Sequence, residues 1–196
     1  MPVSRPLGKR FEQALVYGTR AHAKQFRKGT TRPYIGHLLG VAAIVLTHGG
    51  DEDEAIAALL HDAVEDQGGA CRLRDIHRKF GSRVAQIVQE CSDTDAVPKP
   101  PWLDRKKAYL RHLQRANDSV RLISAADKLY NVRETLADYR RHKSAIWKRF
   151  HAGRDLSLWY YREVVKILRR RGPRELVNDL DRAVKELDRV STRTTK

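Results

Sequence analysis

Apolar residues recur through most of the chain at intervals of three and four, the period of a helix that buries one face. Lys9 to Phe26 carries Phe11, Leu15 and Tyr17 with small residues between them and reads as an amphipathic helix, broken by the glycine and proline of Arg27–Pro33. Gly36 to Thr47 is apolar nearly all round, which predicts deep burial. A third helix, capped by Asp51 or Asp53, runs to about Asp66 before Gly68-Gly69. Shorter helices follow at Arg72–Phe80 and Ser82–Ser92, separated by Gly81, and Val97–Pro101 forms a stiff connector. Helices are then expected at 102–116 and 118–139, a loop at His151–Arg154, and helices at Asp155–Arg171 and 174–189, with a polar frayed tail from Ser191. No alternating strand pattern and no internal repeat stands out. The expectation is all-α: a single-domain bundle of roughly eight to ten helices over 1–196, with C-terminal helices 155–190 packing on the rest.

Composition narrows the setting. A chain of 196 residues that is 41% hydrophobic is long enough for one sizeable core. Its longest apolar stretch, Gly40–Leu46, is too short to span a bilayer, and Met1–Arg10 lacks the apolar core of a signal peptide. Two cysteines without CxxC spacing argue against a thiolate zinc site and fit a reducing, cytoplasmic setting. The net charge of +15 draws anions toward the protein, whether nucleic acid, an acidic membrane or a polyphosphorylated small molecule.

The chemistry concentrates in Leu59-Leu60-His61-Asp62-Ala63-Val64-Glu65-Asp66. Positions four apart share a helix face, so His61, Asp62, Glu65 and Asp66 form one polar strip among aliphatic neighbours. Three carboxylates near a helix C-terminus oppose its macrodipole at ~0.3–1 kcal/mol each. A divalent cation offsets that cost, and imidazole with carboxylate suits Mn²⁺, Fe²⁺, Mg²⁺ or Zn²⁺. Solvated acids on a surface helix are the plain alternative. His37, early in the apolar second helix, and Asp127, in Ser124-Ala125-Ala126-Asp127-Lys128-Leu129-Tyr130-Asn131, are the other candidate ligands. Taken singly, His37 reads more readily as a satisfied core histidine than as a ligand, and Asp127 as a partner of Lys128 or an arginine.

The order H…HD…D resembles that of the HD superfamily, and the similarity is more specific than that. His22-Ala23-Lys24-Gln25-Phe26-Arg27-Lys28-Gly29-Thr30 resembles the HAxQxRKGT segment of the SpoT/RelA hydrolase domain and the small alarmone hydrolases. Pro33–His37 resembles the PYxxH continuation, His61–Asp66 the HDxxED box, Phe80–Ala85 the FGxxVA element and Ala126–Asn131 the ADKLxN box, all in order within a motif core of 11–136. The resemblance implies an HD-type fold and a metal, most often Mn²⁺, held by His37, His61, Asp62 and Asp127. It further implies that Glu65 and Asp66 position the attacking water, and that Arg27, Lys28 and Asn131 meet the nucleotide. Arg154 and Tyr160 are added as residues closing over the substrate. Gln67 stands where these hydrolases usually carry threonine and is read as neutral for the chemistry.

The function implied is removal of the 3′-pyrophosphate from (p)ppGpp-type nucleotides by a stand-alone hydrolase. Adenine alarmones of the (p)ppApp type, NADPH or other nucleotides remain open as substrates. A reading of a different class, a nucleic-acid-binding module on the same scaffold, is motivated by Arg140–Lys143 and Arg169–Arg171. The complete ligand set speaks against it. Oligomeric state is left open.

Overall fold

The computed structural model describes residues 6–94 and 98–192. The chain divides into two compact units, Met1–Asp95 and Ala96–Lys196. Among the described residues the structure is all-α, with one isolated bridge between Phe26 and Pro33, and no helix is long and apolar enough to cross a membrane.

The first unit holds α1 (Lys9–Ala21), α2 (Ile35–Thr47), α3 (Glu52–Leu60), the short α4 (Ala63–Asp66), α5 (Gly69–Phe80) and α6 (Ser82–Cys91). Its centre is α3, buried at every position from Ala55 to Leu60 and packed by α1, α2 and α6. Each fully buried leucine or isoleucine there contributes ~1.5–3 kcal/mol. Asp51 begins α3 with a capping box: its carboxylate accepts from the Glu54 amide at 2.9 Å while Glu54 accepts from the Asp51 amide at 2.8 Å. Asp53, the other expected cap, pairs instead with Arg10 and Arg83. Gly18 lets α1 approach α3 closely, since a Cβ there would lie 3.2 Å from the Leu59 carbonyl oxygen.

Three expectations change in this unit. The first helix ends at Ala21 rather than Phe26. Residues 22–34 are drawn into a loop by backbone bonds from Tyr34 to Gln25 and from Arg27 to Arg32, both 2.9 Å. Helix α2 buries one face only, through Leu38, Val41, Ala42 and Val45, and leaves Leu39 45% exposed. The third helix is interrupted at His61-Asp62, although the Asp66 amide still reaches the Asp62 carbonyl at 3.0 Å.

The second unit holds α7 (Trp102–Arg115), α8 (Asp118–His142), a 3-10 segment (Lys143–Arg149), α9 (Gly153–Arg171) and α10 (Arg174–Thr192). Helix α8 is its spine, packed by α9, α10 and the 3-10 segment, while α7 lies on α9. Asn117 caps α8 by accepting from the Val120 amide at 3.0 Å. Lys143, with φ at 51°, ends it. Ser191 and Thr192, expected in the frayed tail, belong to α10, and the buried Ser191 hydroxyl donates to the Leu187 carbonyl at 2.6 Å. The rest of that tail, and Val97 of the connector, lie outside the described residues.

Candidate active site

The first unit brings together His37, His61 and Asp62. His37 sits in the first turn of α2 and is 1% exposed; His61 follows the last residue of α3 and is 4% exposed. Their rings meet edge to face, centroids 5.2 Å apart. One carboxylate oxygen, Asp62 Oδ2, lies 3.4 Å from His37 Nε2 and 3.2 Å from His61 Nε2. Donor atoms bound to one ion at ~2.1 Å stand ~3.0–3.4 Å apart in octahedral or tetrahedral geometry, so these three atoms have the spacing of neighbouring ligands. The break after Leu60 turns the His61 ring so that Nδ1–H donates to the Ala58 carbonyl at 2.8 Å. With Nδ1 committed to that carbonyl, Nε2 is the ring atom turned toward Asp62, and it is the atom open to a metal once it carries no proton.

Asp62 is held as a carboxylate. Burial pushes its pKa up, but the charge of His61, hydrogen bonds from His37 and His61, and the charge of His37 outweigh burial and hold it well below the usual range. The Tyr34 hydroxyl donates to the same Oδ2 at 2.6 Å. Burial, followed by the charge of Asp62, raises the Tyr34 pKa and keeps that hydroxyl a donor. The Tyr34 ring stacks on His22, and the Arg27 guanidinium lies over it at 5.6 Å.

The two further acids of the strip diverge. Glu65 accepts from the Asp93 amide at 3.2 Å. The exposed Asp66 accepts from Gln25 Nε2 at 2.8 Å. Gln25 is itself oriented: its Oε1 accepts from His22 Nδ1 and from Gln67 Nε2, both at 2.6 Å, which commits its amide hydrogens to Asp66. His22, Gln25, Tyr34 and Gln67 are thus the supporting residues that sequence reasoning left without a role. The departure at Gln67, read as neutral, touches this network directly. Lys28 is exposed on the same loop, where Gly29 adopts φ of 69°.

In the second unit Asp127 is buried on α8, and its carboxylate accepts from Lys128 Nζ and from Asn131 Nδ2. Burial pushes the Lys128 pKa down, but the charge of Asp127 and then those of Tyr160 and Tyr109 carry it well above the usual lysine value. Lys128 and Asp127 therefore stand as an ion pair. Lys128 Nζ lies 5.2 Å from the Tyr109 ring centroid and 6.0 Å from that of Tyr160. Tyr160 is buried against Trp102, while the neighbouring Trp159 is only half-buried. Arg154 reaches Asp155 at 2.8 Å and the Ser191 carbonyl at 3.3 Å, which ties the start of α9 to the end of α10.

Residues 14–156 match the HD domain family. The chain is similar to the guanosine-3′,5′-bis(diphosphate) 3′-pyrophosphohydrolase MESH1 of Xenopus tropicalis, 38% identical over 125 residues that cover 62% of this chain and 67% of that protein. It is 33% identical over 141 residues to the bifunctional (p)ppGpp synthase/hydrolase SpoT of Escherichia coli K12, covering 69% of this chain and 19% of that protein. Among solved structures it resembles a metazoan ortholog of SpoT that hydrolyzes ppGpp and plays a role in starvation responses, with a TM-score of 0.77 and 27% identity over 94% of this chain and 98% of that one.

Proposed function

The chain belongs to the HD domain family, and on that premise we propose that it is a metal-dependent hydrolase that removes the 3′-pyrophosphate from ppGpp. The observation that carries this reading is the single carboxylate oxygen of Asp62 set between two buried imidazole nitrogens. His37, His61 and Asp127 are buried side chains of the kinds that hold a metal ion. With Asp62 they form the proposed ligand set, and the family match spans all four positions. We propose Mn²⁺ as the ion, because nitrogen and carboxylate donors without thiolate admit it and the resemblance to the alarmone hydrolases favours it among the ions they admit, and one hydrolase domain as the unit of function. We assign the cytoplasm as its compartment, since neither cysteine is in a disulfide.

A bound divalent ion supplies Lewis acidity and a water of lowered pKa. The protein supplies the rest. Glu65 and Asp66 orient the attacking water and take its proton, with Asp66 held by the Gln25 amide. Arg27 and Lys28 offer donors to the phosphates, and the Arg27 guanidinium lies over the Tyr34 ring. Asn131 is assigned to the nucleotide, and Arg154 and Tyr160 to its enclosure. Water adds to phosphorus, the bond to the ribose 3′ oxygen breaks, and the products are GDP and pyrophosphate. Nucleic acid is not the assigned partner, because a complete set of metal-ligand side chains suits a hydrolase better than a pure binding module.

The test is incubation with Mn²⁺ and a panel of ppGpp, ppApp, NADPH and nucleoside monophosphates, with products resolved by anion exchange. GDP and pyrophosphate from ppGpp are the expected result. Turnover of NADPH or a monophosphate with ppGpp untouched refutes the assignment.

A further inference from the structure

The Ala96–Lys196 unit carries a cluster of basic side chains outside the residues assigned to hydrolysis. A groove of about 540 Å³ is lined by Arg115 of α7, Arg121 of α8, and Glu163, Lys166, Arg170 and Arg171 of α9. Five cations face one carboxylate there, Glu163, which pairs with Lys166 at 3.6 Å. Three observations set the groove apart from an ordinary solvated basic surface. Arg121 is only 7% exposed, and its partner Asp118 at 2.8 Å has a side chain 94% exposed, so water screens the carboxylate while the guanidinium is largely withdrawn from it. Among the described residues Arg115, Arg170 and Arg171 make no side-chain ion pair, whereas Arg169, next in sequence, turns away to Asp181 at 2.7 Å. The cations also come from three helices, so they converge on a concavity instead of lying along one exposed stripe. Concavities of a few hundred cubic ångströms are the size that encloses small ligands.

We infer that this groove is a binding site for a compact polyphosphate anion, distinct from the residues assigned to hydrolysis. Arg121 and Asp127 share α8 but, at 3.6 residues per turn, project about 120° apart around its axis. The three arginines without a side-chain ion pair among the described residues, Arg115, Arg170 and Arg171, can each grip phosphate oxygens through two N–H groups. The buried Arg121 gains the counter-charge that Asp118 supplies poorly. An enclosed groove with a single acid suits a short polyphosphate better than a nucleic acid, which needs a charged track along its backbone.

The test is calorimetric titration of inorganic tripolyphosphate into the full chain. Three double variants are compared with the wild type: Arg115→Glu/Arg170→Glu in the groove, Arg141→Glu/Arg189→Glu elsewhere with the same change in net charge, and Arg27→Ala/Lys28→Ala in the proposed reaction site. All replaced side chains but the half-buried Arg27 are exposed, and circular dichroism verifies the fold. The inference expects salt-sensitive binding that drops about tenfold or more in the groove variant and persists in the other two. Equal losses in the groove and elsewhere variants would reduce the effect to diffuse charge and overturn it. Loss confined to the Arg27/Lys28 variant would assign all binding to the reaction site and overturn it too. A short single-stranded RNA that binds more tightly than tripolyphosphate and displaces it from the groove would replace the compact anion with nucleic acid.

Discussion

Gln25 gives the sharpest test of how the site is supported. Its side-chain amide accepts from His22 and Gln67 and donates to Asp66. Gln25→Leu removes all three bonds. His22 is 2% exposed, so its Nδ1–H is left buried without an acceptor, a penalty of ~1–3 kcal/mol. The Asp66 bond adds little to stability because Asp66 is exposed and water replaces the donor. Its loss acts on rate: an orienting partner of this kind contributes on the order of 10–100-fold to activity. Gln25→Glu separates the two effects. A carboxylate still accepts from His22 and Gln67 and preserves most of the stability, but it presents negative charge to Asp66 in place of a donor. Urea unfolding followed by circular dichroism should therefore rank wild type near Gln25→Glu and both above Gln25→Leu. Steady-state hydrolysis of ppGpp with Mn²⁺ should show kcat reduced in both variants while KM changes little. Wild-type kcat in Gln25→Glu would refute the claim that Gln25 orients Asp66.

Further outcomes follow from the packing and the charges. Gly18→Val places a branched side chain against the Leu59 carbonyl at the α1–α3 contact and should destabilise the first unit by ~1–3 kcal/mol in the same unfolding assay. Asp51→Ala removes the acceptor of the capping box and should cost ~1 kcal/mol, with Asp51→Asn retaining most of it. The Asp75 pKa is lowered, first by the hydrogen bond from Tyr17 against burial, then by the charges of Lys79 and Arg78. A lowered folded-state pKa means stability that is present above the unfolded value and lost as pH falls through the folded one. Asp75→Asn should thus be less stable than wild type near neutral pH, by no more than ~1 kcal/mol for so accessible a group, and the gap should close below the ordinary value of 3.8. A gap that widens on acidification would contradict that sign.

Much of this architecture was readable in residue order. The run Gly36–Thr47 and the Ala55–Leu60 stretch announce helices because their neighbours at three and four residues are apolar, and Asp51 announces the start of α3 because a carboxylate there meets the amide three residues on. The pairing of His37 with the His61-Asp62 dipeptide was legible only through the H…HD…D order of the family resemblance, since each residue alone also reads as ordinary core or surface. What escaped was set by contacts between distant positions. Residues 22–26 are compatible with helix, and it is the bonds from the Tyr34 amide to Gln25 and from the Arg27 amide to Arg32 that draw them into the loop after Ala21. The network joining Gln25 to Asp66 and Gln67 spans some forty residues and leaves no periodic trace, so Gln67 looked neutral. The break at His61-Asp62 is invisible to periodicity because it changes the path of the helix by two residues without changing which side chains are apolar. The 3-10 segment at Lys143–Arg149 likewise buries only Ile146 and Trp147, too few to form a pattern.

The central claim is that His37, His61, Asp62 and Asp127 hold one divalent ion. Titrating Mn²⁺ into metal-stripped protein, with bound metal counted by elemental analysis, tests it without reference to turnover. One ion per chain is predicted for the wild type, with affinity reduced by more than ~100-fold in both Asp62→Ala and Asp127→Ala while helicity is retained. Wild-type Mn²⁺ affinity in either variant would contradict the account.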